Sequence, residues 1–147
     1  MSVILDLADA VAAELNAAEE GTFGLDFVAA RMVLPRFKLE DLSTLHVTVV
    51  PASAGAEMQT RAQMLYEVEI NIGVQKLLGK DVDDEIEDLL DLVEAIGDYL
   101  RGRTLDDATY ASWMRQDNDP TYAPDHLANE NVFTSVLTIT YRLLVAK

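Results

Sequence analysis

Residues 61–100 constrain the fold more than any other stretch, because the hydrophobic period changes once within them. Over residues 62–74, Met64, Tyr66, Val68, Ile70, Ile72 and Val74 alternate with Gln63, Glu67, Glu69, Asn71 and Gln75. A period of two predicts a strand with one buried face. Over residues 81–100 the period lengthens to about 3.6. Ile86, Leu89, Leu90, Val93, Ile96, Gly97 and Leu100 then share one side of a helix, with Asp84, Asp88, Asp91 and Asp98 on the other. Two elements with one apolar face each are stable when those faces meet.

The flanking segments extend this unit. Ser2 is placed to cap a helix running to about residue 18, with Ile4, Leu7, Ala8, Val11 and Leu15 as its stripe and Gly21 as its stop. Residues 27–34 read as a strand ended by Pro35, and residues 38–44 as a helical turn or a loop. Residues 45–50 alternate and meet Pro51, so the stretch 51–60 is expected to be an extended hairpin loop. Residues 103–131 show no clear period. Residues 109–114, with Trp113, suit a short strand or helix, and the segment as a whole is expected to be irregular. From Phe133 to Val145 alternation returns, with Thr134, Val136, Thr138, Thr140 and Arg142 on the second face.

The expected fold is therefore one α+β domain over residues 1–147. It has a mostly antiparallel sheet of four to five strands, with two helices packed on one face. The element order is helix-strand-strand-strand-helix-strand.

Composition narrows the function. The chain has 26 acidic and 11 basic residues, a formal charge of −15, and the basic residues are scattered. Such a surface repels nucleic-acid phosphates and anionic lipid. With no cysteine, disulfides, thiolate metal sites and cysteine catalysis are excluded. Neither a membrane span nor the basic start of a signal peptide is read, so a soluble protein made in a cytoplasm is expected.

Motifs for chemistry are sparse. The acidic runs at 81–85 and 117–119 lack the sixth-position glycine of a calcium loop, having Ile86 and Tyr122 there. His46 and His126 stand without a third ligand, and no nucleophile elbow, phosphate loop or dinucleotide fingerprint is present. Glu67 and Glu69 share one strand face, as paired catalytic carboxylates do, but also as the solvent side of any strand does. The expectation is a non-enzyme with no cofactor and no metal. Groups suited to burial by a neighbour are Gly55, Glu57 and Met58 in the first loop, Tyr122, His126 and Leu127 in the second, and Thr138 and Thr140 on the last strand.

The segments PTYAPDHL at 120–127 and NVFTSVLTITYR at 131–142 resemble the end of small neck proteins of tailed bacteriophages, in the tail terminator (tail completion) family. The element order is similar as well. The resemblance implies a virion structural protein, assembled in the host bacterial cytoplasm. Its subunits would form a ring, commonly a hexamer, that caps the tail tube and joins it to the head–tail connector, with DNA as a passing cargo. The stretch around Gly55 would then touch a neighbouring subunit or the tube, and an acidic channel wall would let DNA slide. The alternatives are another neck component, such as a connector or stopper, a small acidic protein-binding domain or nucleic-acid mimic, and a hydrolase using the carboxylates.

Overall fold

The computed structural model describes residues 2–33, 42–119 and 121–146. In chain order the elements are α1 (Val3–Asn16), β1 (Ala29–Arg31), β2 (His46–Met58), β3 (Gln63–Leu77), α2 (Val82–Leu100), β4 (Ala111–Asn118), α3 (Pro124–Glu130) and β5 (Val132–Ala146). Five strands form one sheet in the order β1-β2-β3-β5-β4. Only β1 runs parallel to its neighbour; the other pairings are antiparallel. The class is α+β and mostly antiparallel, as expected. The corrections are a third helix, a parallel strand at one edge, and β4 lying outside β5 at the other edge.

Local chemistry accounts for the helices. Ser2 Oγ accepts the Leu5 N–H at 3.3 Å and caps α1. Three carboxylates, Asp83, Asp84 and Glu85, occupy the first turn of α2, where the helix dipole favours negative charge. Gly102, at φ 66°, turns the chain away after the last turn of α2. Asn131 does the same for α3 at φ 56°, a left-handed conformation that asparagine tolerates. Its side chain donates to the Leu78 carbonyl (3.0 Å) while its own carbonyl accepts the Leu78 N–H (2.8 Å), tying the start of β5 to the end of β3.

The two long helices build the core on one face of the sheet. Val47 and Val49 of β2, Val68 to Val74 at alternate positions of β3, and Phe133, Leu137, Ile139, Tyr141 and Leu143 of β5 pack with Leu7, Val11 and Leu15 of α1 and with Leu89, Leu92, Val93, Ile96 and Leu100 of α2. Leu92 belongs to the buried stripe although the spacing argument omitted it, and Leu90 is only half-buried. Where α1 meets α2, the buried Glu14 receives the Asp106 N–H at 2.9 Å and the Arg103 guanidinium at 3.5 Å. Arg103 also lies 3.8 Å over the Tyr99 ring, which meets Phe23 edge-on.

Three further expectations change. Over the described residues 27–33 the expected strand shortens to Ala29–Arg31, because Phe27 turns to pack on Phe23 and Val28 is 78% exposed; residues 34 and 35 lie outside the described residues. Asn16 supplies both hydrogen bonds that Ala29 lacks on its open side, at 2.8 and 2.9 Å. Second, the hairpin loop at 51–60 is mostly strand. β2 continues through Pro51 to Met58, and the turn is confined to residues 59–62. Proline is tolerated because β1 has ended, leaving that edge unpaired among the described residues, and a bulge lies between Pro51 and Ser53. Third, the irregular segment at 103–131 holds a turn anchored by the buried Leu105 and Ala108, then β4, then α3. Of the expected turn at 38–44, residues 38–41 lie outside the described residues.

Candidate functional site

The long strands place the expected contact residues in two groups. On the distal half of the β2–β3 hairpin, Gly55 pairs with Glu67, Glu57 with Leu65 and Met58 with Met64. Gly55 and Glu57 lie on the outer face. Met58 lies on the helix side, beyond the reach of the helices, and is 65% exposed. Thr138 and Thr140 of β5 share the outer face with Gly55 and Glu57. Thr138 is half-buried and donates to Asn71 Oδ1 at 2.7 Å, whereas Thr140 is buried within the chain itself.

The other group sits at the opposite end of β5. Tyr122 is 41% exposed just before α3. His126 Nδ1 lies 2.8 Å from Thr134 Oγ1, and Leu127 packs against the core. Because Thr134 pairs with Gln75 while Val145 pairs with Met64, the two groups lie at opposite ends of the long strands.

The distal arm is the feature that sequence reasoning missed. From Ala52 to Met58 every residue of β2 is exposed, although all but one of the pairing positions to β3 are filled. Small residues without alternation concealed it; the signal was the length of the alternation in its partner, β3, which needed an equally long strand beside it. Beside the arm, the cap residue Ser2, Ile4 and Leu5 of α1, and residues 51–54 line a groove of about 300 Å³.

The carboxylates weighed as chemistry are engaged structurally. Glu69 accepts from Ser53 Oγ at 2.9 Å, and Glu67 pairs with Arg142 at 3.3 Å. Glu85 accepts the Gly79 N–H at 2.6 Å and meets Lys76 Nζ at 3.3 Å, and these hold its carboxyl below the usual value, the backbone bond most. The Tyr141 hydroxyl is pushed up, first by burial and then by the nearby Glu14 charge. Among the described residues, no three His, Asp or Glu side chains gather as metal ligands, and no helix is long and apolar enough to cross a membrane. Asp83, Asp84, Glu87, Asp88, Asp91, Glu94 and Asp98 form an exposed acidic face on α2.

No family model and no curated protein matches the sequence. A solved structure does share the fold: a chain of the virion of a native gene transfer agent particle, with a TM-score of 0.55 and 14% identity, over 99% of this chain and 100% of that one.

Proposed function

We propose that this chain is a structural, non-enzymatic protein of a phage-like virion, a tail terminator whose copies form a ring at the neck. The observation that carries the reading is the end-to-end likeness of fold to a virion chain of a gene transfer agent particle, with neither chain overhanging the other. The arm supports it, since a strand exposed on both faces and, among the described residues, along one edge suits a subunit that is completed by neighbours. On this reading the ring, a hexamer, caps the tail tube and meets the head–tail connector. DNA passes without being held, and the exposed carboxylates of α2 help keep phosphates from sticking.

Electron microscopy of particles made without the protein tests this. Overlong tails, or heads and tails left unjoined, are expected; normal joined particles reject the reading. A connector or stopper role predicts tails of normal length with heads that leak DNA. The acidic face of α2 also favours a reading as a nucleic-acid mimic that occupies a basic partner. Such a protein would be absent from purified particles.

A further inference from the structure

The sheet has two different open edges. Beyond Val49, among the described residues, nothing pairs with the outer edge of β2, while its inner edge is held in strand conformation by β3. At the other side of the sheet, among the described residues, β4 pairs only with β5. Strands in this state present N–H and C=O groups ready for another strand. Because the two edges differ, pairing one with the other joins copies head to tail.

Charge decides where copies of so acidic a chain can meet. At −15, two copies repel unless their contact lies on neutral ground. Residues 51–66 contain one acid and one base, Glu57 and Arg61, and β4 likewise contains one of each, Arg115 and Asp117. Of the carboxylates opposite the arm on β3, Glu67 is paired with Arg142 and Glu69 accepts from Ser53. The register puts the charges on a common face. Glu57 pairs with Leu65, which pairs with Leu144, and Arg115 pairs with Thr140. Leu144 and Thr140 are an even number of residues apart on β5, so Glu57 and Arg115 both point away from the helices, and both are exposed.

We propose that the distal edge of β2 receives the β4 edge of a second copy as an added strand, with Glu57 of one copy beside Arg115 of the next. This rests on the ring reading only in that it names the contact between its subunits. Asp117 shares the face of Arg115 two residues further on, so registers that bring it opposite Glu57 are repelled. The same pair therefore sets the register of the added strand.

Sedimentation of the full chain over a range of concentrations tests the contact with three variants. Glu57→Arg and Arg115→Glu should each weaken self-association about tenfold, and the double swap should restore it. A general charge effect predicts otherwise. Glu57→Arg makes the chain less negative and would strengthen association, and that result overturns the proposal. So does a wild type that stays monomeric at every concentration, or a double swap that restores nothing. Failure here separates from failure of the neck reading. Abnormal tails in particles lacking the protein, with association indifferent to the swap, reject this contact alone. Normal particles, with association that follows the swap, reject the neck reading alone.

Discussion

The two ends of the β2–β3–β5 ribbon are built from one continuous set of pairings but differ in what holds them. At the end near Val74 and Leu137, both long helices cover the sheet, Glu85 and Asn131 clasp its corner, and alternate side chains are wholly buried. At the end near Met58 and Val145 the backbone pairing continues, but among the described residues β2 has no cover on either face and no neighbour on its outer edge. The difference teaches that hydrogen bonding and burial are separable here. The covered end carries the stability of the subunit, and the arm depends on that end to keep its shape.

The largest expected effect lies at the covered end. Ile72 is fully buried between Val49 and Leu137 in the centre of the sheet. Ile72→Ala removes buried methyl and methylene groups and leaves a cavity that rigid neighbours on two strands cannot close. A loss of about 3 to 4 kcal/mol in denaturant unfolding is expected. A loss under about 1 kcal/mol would mean that the sheet centre is loosely packed and that the two ends are not distinct.

Next in size is the corner clasp. Glu85→Gln keeps the shape but loses the charge that Gly79 N–H and Lys76 favour, and should cost about 1 kcal/mol at neutral pH. The folded-state pKa is depressed. Its stabilisation is therefore complete above the unfolded value of 4.5 and fades as pH falls through the lower folded value. The gap between wild type and variant should accordingly narrow as the pH falls below 4.5 in parallel melts. A gap that stays constant with pH would place the effect in packing.

These particulars also show what was legible beforehand. The strong periods of β3, α2 and β5 were readable, because each has one face in the core and one in water, which is what a period records. The arm was not, because neither face of β2 is buried from Ala52 onward and burial is what writes a pattern into a strand. β4 was obscured by a bulge between Trp113 and Arg115, which puts Trp113 and Gln116 on one side and breaks the count of two. α3 has only seven residues and no side-chain cap, too short for a helical period to show. Gly55, Glu57 and Met58 were singled out as a loop, where they form a strand.

A smaller effect of opposite sign is expected where cover gives way to arm. Tyr141 is fully buried and, among the described residues, its hydroxyl has no hydrogen-bond partner. Desolvating that hydroxyl opposes folding, so Tyr141→Phe should leave stability unchanged or raise it by up to about 1 kcal/mol. A loss of more than 1 kcal/mol in the same unfolding assay would show that the hydroxyl is engaged and that the covered end extends further toward the arm.

The smallest effect on folding belongs to the arm. Met58 is 65% exposed, and its partner Met64 is only half-buried, so Met58→Ser removes little burial that the subunit itself provides. The melting curve should shift by less than about 0.5 kcal/mol. Sedimentation should nevertheless report weaker self-association, since an apolar side chain at the tip is useful only to a surface from another molecule. The contrast with Ile72→Ala is the sharp form of the comparison: one substitution should weaken folding, and the other should leave the fold intact while weakening association. If Met58→Ser instead lowered stability as much as a core change does, the arm would belong to the subunit's own core. Its open edge would then have to be explained without a neighbour.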